Sequence, residues 1–176
     1  MNTSAQITIE PYQNKSPDLH QSVFIAAGAR LIGDVAVGAD SSIWFNTVLR
    51  GDVNYIRIGS GTNIQDGTVV HVTKGGNPTI IGDQVTVGHS AVIHACTIGD
   101  LCLIGMGAIV LDGANIAPRS MIGAGSVIPP GKQYPPETLI LGSPAKVVRN
   151  LSPDEIAFLE KSARQYIRLS KEYLTI

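Results

Sequence analysis

The sequence has almost no charge imbalance: 13 Lys and Arg against 14 Asp and Glu leave a net −1 at pH 7. Without a basic excess there is no electrostatic footprint for nucleic acid or for an anionic membrane. Aromatic residues are scarce at 5%, and charged residues make up only 15%, which excludes a core built on large rings. The two cysteines, Cys96 and Cys102, are too few for a disulfide framework and read as small apolar residues in a reducing cytosol. No apolar run approaches the roughly 18 residues that span a bilayer. The start of the chain, MNTSAQITIEPYQ, lacks the basic and apolar regions of a signal peptide. The expected location is therefore cytoplasmic.

What the chain has in abundance is Gly and small aliphatic residues at a fixed spacing. Ile25, Leu31, Val37, Ile43 and Leu49 fall six apart, and after three extra residues so do Ile58, Ile64 and Val70. A second insertion, Val72 to Thr79 with Gly75, Gly76 and Pro78, reads as a protruding loop. Ile81, Val87 and Ile93 follow, then one step of five to Ile98, then Ile104, Val110, Ile116, Ile122 and Ile128. A short strict period is the signature of a parallel β-helix of hexapeptide repeats. Three hexapeptides close one triangular coil, so the span makes about six coils. The phased residue points inward and its neighbours point outward, because side chains alternate along a strand.

Before the repeat, Gln6–Ile9 reads as a short strand, and His20 reads as an ordinary surface residue. Beyond Pro129 and Pro130 the pattern decays. Ser152-Pro153-Asp154-Glu155 is a helix start, with Ser as N-cap, Pro in the first turn and Glu at N3. An apolar stripe at Ile156, Leu159, Ala163 and Tyr166 or Ile167 continues it. The expected architecture is mainly β: a β-helix domain with an N-terminal strand over residues 1–151, and a C-terminal α-helix over 152–174 packed on it as part of the same domain.

The strict phase gives every outward side chain a direction. Naming the prism faces A, B and C, with Val70 on face A, places Leu49, Val70 and Ile93 on A. Arg50, His71 and His94 follow them and form one column, roughly 4.8 Å per rung. Ile43, Ile64 and Val87 lie on face C, so Asp66 and His89 share a second column around a corner. Trp44, Asn46 and Met106 also fall outward on face C and are expected to be subunit contacts rather than chemistry. His71 and His94 can reach one metal ion together, but His89 of the same prism cannot. A threefold homotrimer sets face A of one subunit against face C of the next and completes the set. Three imidazoles with an open fourth position are the ligands of a catalytic zinc that activates water. Ferrous iron and cobalt accept the same donors.

Arg50-Gly51-Asp52, Asn63-Ile64-Gln65-Asp66, His71, His89-(four residues)-His94 and Gly142-Ser143-Pro144-Ala145 together resemble the γ-class carbonic anhydrases, closest to the short bacterial type. The resemblance covers roughly residues 10 to 174. It implies a left-handed coil and reversible hydration of CO2 to bicarbonate at a metal held by His71, His89 and His94 across a trimer interface. It further implies that Arg50 and Asp52 form an intersubunit ion pair that orients bicarbonate, and that Gln65 and Asp66 position the reacting water. Tyr166 matches the tyrosine that the C-terminal helix brings to the pocket. Two departures stand out. Val53 replaces a Glu found after the Asp in archaeal-type members, and the Val72–Thr79 loop lacks the carboxylate that shuttles protons there. Slow hydration is the expected consequence.

Two other readings are open from the residues. A hexapeptide-repeat acyltransferase would use one histidine as general base on an acyl-CoA acceptor, although three convergent histidines exceed that need. The same metal trimer could instead act on thioesters, or lack fast CO2 chemistry.

Overall fold

The computed structural model describes residues 6–175; Met1–Ala5, part of the stretch read above for a targeting signal, and Ile176 lie outside the described residues. The phased residues build three stacked columns. On face A, Leu31, Leu49, Val70, Ile93, Val110 and Ile128 lie in adjacent parallel strands and are all 0% exposed. Face B stacks Val37, Ile58, Ile81, Ile98 and Ile116. Face C stacks Ile25, Ile43, Ile64, Val87, Ile104, Ile122 and Ile140. This is a parallel β-helix of about seven turns. Each fully buried Ile or Leu is worth about 1.5–3 kcal/mol relative to exposure, so a ladder of aliphatic rungs replaces the missing aromatic core.

The corners explain the glycines and one irregular step. The third residue after the face C rungs Ile43, Ile64, Val87 and Ile104 takes a left-handed φ: Asn46 at 57°, Gly67 at 68°, Ser90 at 58°, Gly107 at 65°. Gly suits these positions because a Cβ there is strained. Glycine directly after a rung has a different reason: a Cβ on Gly88 would lie 2.8 Å from the Met106 backbone nitrogen of the next coil. The five-residue step comes from Ala95, which turns at φ 49° only two residues after Ile93, whereas Gly113 turns three residues after Val110.

Three expectations are corrected. The N-terminal strand is Thr8–Glu10, two residues later than the reading of Gln6–Ile9, and it pairs with Arg30–Ile32 at the open end of the prism. The repeat continues past Pro130: Gln133–Tyr134 and Thr138–Gly142 add a further coil, with Tyr134 and Ile140 on the rungs. Tyr134 is compatible with a rung because its hydroxyl donates to the Ala145 carbonyl at 2.8 Å. Trp44 is 4% exposed rather than free for a subunit contact. It lies under the C-terminal helix, against Phe24, Tyr166 and Tyr173 at ring separations of 5.2, 5.6 and 5.3 Å.

That helix, Pro153–Tyr173, opens with the expected capping box: Ser152 accepts from the Glu155 N–H, and Glu155 accepts from the Ser152 N–H. It buries Leu159, Ser162, Ala163 and Ser170 against face C. Thr86 and Ser162 hydroxyls meet at 3.1 Å across that seam. Among the described residues no helix is long and apolar enough to cross a membrane.

Candidate functional site

His71 and His94 end the adjacent strands Val69–His71 and Val92–His94 and are direct register partners. Their rings face each other, with His71 Nδ1 3.2 Å from His94 Nε2. The outer nitrogen of each ring meets a carboxylate: His71 Nε2 lies 3.1 Å from Asp52 Oδ1, and His94 Nδ1 lies 2.7 Å from Asp112 Oδ1. An ionised carboxylate only accepts, so each outer nitrogen carries a proton, and in the neutral tautomers both facing nitrogens present lone pairs. Two such lone pairs at this distance repel unless a cation, either a proton or a metal ion, lies between them. Imidazole ligands at about 2.0–2.1 Å from a tetrahedral zinc have their nitrogens about 3.4 Å apart, close to the observed spacing. A carboxylate behind each ligating imidazole is also the usual support for such a site.

Both carboxylates are held ionised. Burial pushes Asp52 up, but its bonds to His71 and Arg50 outweigh that and hold it below its ordinary value. Asp112 is lowered first by the hydroxyl of Thr73, against burial, and further by His94. Arg50 pairs with Asp52 of its own chain. Asp52 therefore joins the guanidinium to the first imidazole.

On face C, His89 Nδ1 lies 2.7 Å from Asp66 Oδ2, leaving its Nε2 free. One ring nitrogen is thus carboxylate-bound in each of His71, His89 and His94. His89 does not join His71 and His94 within one chain, and among the described residues no cluster of three or more His, Cys, Asp or Glu could hold a metal. Gln65 is buried, with its side-chain amide donating to Asn63 Oδ1 at 3.0 Å. Tyr166 is half-buried against Trp44, and burial followed by the nearby Asp66 charge raises its hydroxyl pKa. His20 is exposed and bonded to Ser22, remote from these groups in its contacts. Met106, below His89 in the same column, is 61% exposed.

Sequence reasoning missed Asp112 and Thr73. The loop after His71 is tied down rather than protruding freely: Asn54 Nδ2 donates to the Thr73 and Gly76 carbonyls at 3.2 and 3.0 Å, and Thr73 donates to Asp112. A carboxylate two residues beyond a rung was the available signal, as with Asp66 after Ile64.

Fold and side chains together define a hexapeptide-repeat prism carrying a two-histidine half-site on one face and a single histidine on another. The bacterial transferase hexapeptide family (six repeats) matches residues 95–130. The chain is 51% identical over 165 residues to a carbonic anhydrase of Geobacillus kaustophilus, covering 94% of this chain and 90% of that one. It is 50% identical to gamma carbonic anhydrase 2, mitochondrial, of Arabidopsis thaliana, covering 90% of this chain but spanning only 59% of the plant protein. A crystal structure from Bacillus cereus with a provisional acetyltransferase name is 45% identical, with a TM-score of 0.94 and coverage of 96% and 97% of the two chains. The chain belongs to the γ-class carbonic anhydrase family.

Proposed function

We propose that the protein interconverts CO2 and bicarbonate in a homotrimer, with a metal held by His71 and His94 of one subunit and His89 of the next. The observation that carries the reading is the pair of facing imidazole nitrogens 3.2 Å apart, each ring backed by a carboxylate. A divalent metal bound there supplies a Lewis acid that brings the pKa of water toward about 7. Zinc, ferrous iron and cobalt all suit three imidazoles.

The chain's own residues divide the remaining work. Asp52 accepts from His71 and holds Arg50 beside the histidine column, so the guanidinium offers paired donors to a bicarbonate oxygen pair. Asp66 fixes the ring of His89 and presents a carboxylate that accepts the proton of the reacting water. Gln65 is rigidly held by Asn63 and orients that water together with Asp66 across the interface. Tyr166, whose hydroxyl burial and the Asp66 charge keep protonated, has a proton to donate at the pocket. Val70 and Ile64 are sealed inside the prism, so the apolar surface offered to CO2 comes from outward residues such as Val69 and Val92 on the two histidine-bearing strands.

The acyltransferase alternative is supported by the provisional name of the Bacillus cereus structure; it has no use for three carboxylate-backed imidazoles. Elemental analysis of anaerobically purified protein with CO2 hydration kinetics tests the choice. About one metal per subunit with hydration supports the reading. A metal-loaded trimer without hydration moves the assignment to thioester or other chemistry, and a metal-free protein that transfers acyl groups overturns it.

A further inference from the structure

We infer that Asp112, set in place by Thr73, is the positioning residue that locks His94 with its proton on Nδ1 and presents Nε2 toward His71. Its use in metal binding rests on the reading above; the orientation itself does not.

The argument begins with the corner. Ala95 turns the coil of His94 one residue early, while the coil below keeps Asp112 before its turn at Gly113. The Gly113 N–H still bonds the Ala95 carbonyl at 2.7 Å, so the two corners stack. Asp112 is therefore a residue without a counterpart in the turn above, and its side chain extends up the column to His94 Nδ1 at 2.7 Å. The second carboxylate oxygen accepts from the Thr73 hydroxyl. With both oxygens engaged, the carboxylate cannot rotate away without losing two bonds. Thr73 is itself fixed by Asn54 and by its N–H bond to the Asn77 carbonyl at 3.3 Å. A chain of contacts thus runs from Asn54 through Thr73 and Asp112 to His94.

Among the described residues, the other polar partner of that imidazole is His71. His71 Nδ1 can face either tautomer of His94, as donor or as acceptor, so the Asp112 carboxylate is what selects the proton on Nδ1 and holds the ring rotation. The loop without a carboxylate therefore contributes through a hydroxyl: Thr73 aims Asp112.

The test uses the full-length protein, with Asp112→Ala, Asp112→Asn and Thr73→Val. The first readout is the tautomer of His94 in metal-free protein, from long-range proton–nitrogen-15 NMR correlations. Wild type should hold the proton on Nδ1, and Asp112→Ala should show both tautomers. The second readout is zinc affinity by chelator competition, with cobalt absorption spectra reporting ligand geometry. Asp112→Ala should weaken zinc about 10–100-fold, Asp112→Asn should recover part of the loss through its remaining carbonyl acceptor, and Thr73→Val should fall between. If Asp112→Ala does not fold, Thr73→Val decides, since it keeps the carboxylate. Unchanged tautomer and affinity in the folded variants overturn the inference. A wild type that binds no zinc, yet whose His94 tautomer depends on Asp112, refutes the metal reading and leaves the positioning role standing.

Discussion

His71 and His94 occupy equivalent positions on neighbouring coils, in register, and their facing nitrogens stand 3.2 Å apart. The relationship follows from the repeat: one residue past each face A rung points out of the prism at one fixed height per coil. His89 sits two residues past a face C rung and points elsewhere, so a third imidazole has to come from another copy.

Mixing two disabled chains tests that division. His89→Ala removes one half of the proposed site, and the double change His71→Ala with His94→Ala removes the other. Each alone should bind metal poorly. Refolded together, mixed trimers contain an interface where intact face A meets intact face C, because a cyclic trimer is heterologous. Metal binding and hydration should return in the mixture. Stoichiometric metal on His89→Ala alone would refute the interfacial site, as would a monomer by light scattering that binds metal through all three histidines.

The prism phase and the two histidine columns were legible in the sequence because a strict period of six converts position into direction. The final coil was not, since Tyr134 breaks the aliphatic pattern and Pro135 and Pro136 look like an ending. Trp44 was placed on the surface because the repeat says nothing about where a helix docks. Asp112 carried a signal in its place two residues past a rung, but its reach to His94 depends on a corner shortened by one residue at Ala95, which the spacing records without its vertical consequence.

The rung beneath the site should be sensitive to truncation. Ile93 is 0% exposed and stacked between Val70 and Val110. Ile93→Ala should cost about 2–5 kcal/mol, the range for deleting a buried aliphatic side chain. The urea midpoint should fall accordingly. Metal affinity should fall as well, because His94 is the next residue on the strand.

The helix cap carries an acid dependence of known sign. Glu155 is lowered from its ordinary 4.5 to about 2, chiefly by the guanidinium of Arg149 and then by the Ser152 N–H. A folded pKa below the unfolded one stabilises the protein fully above about pH 4.5, and that contribution is lost as pH falls through about 2. Wild type should exceed Glu155→Gln in melting temperature near neutrality, and the gap should close on acidification through that window. A gap independent of pH would show that the cap works without the charge.

The cysteines should be inert while the fold is intact. Burial pushes both the Cys96 and Cys102 thiols up to about 12, so thiolate is scarce at neutral pH and neither sulfur is reachable. A thiol reagent should find none in native protein and both after denaturation. Rapid native labelling would mean that the coils around Ala95 and Leu101 open readily.

Proton release should set the rate of CO2 hydration. Hydration frees a proton from water, and the Val72–Thr79 loop offers Lys74 and uncharged polar groups in place of a carboxylate. Two acidic groups near the histidines have both oxygens engaged, Asp52 by Arg50, His71 and the Val53 N–H and Asp112 by Thr73 and His94, whereas Asp66 meets His89 through one oxygen. The proton therefore leaves mainly to dissolved buffer or by way of Asp66. Turnover should be slow in dilute buffer and rise with the concentration of a small diffusible acceptor such as imidazole. Lys74→Glu, or Asn77→Glu, places an unpaired carboxylate on the exposed part of the loop. Either change should raise turnover at low buffer and flatten the dependence, with little change at saturating buffer. Fast, buffer-independent hydration by the unmodified protein would show that another group carries the proton. Absence of hydration at every buffer concentration, in protein with its full complement of metal, would assign the trimer to a different reaction.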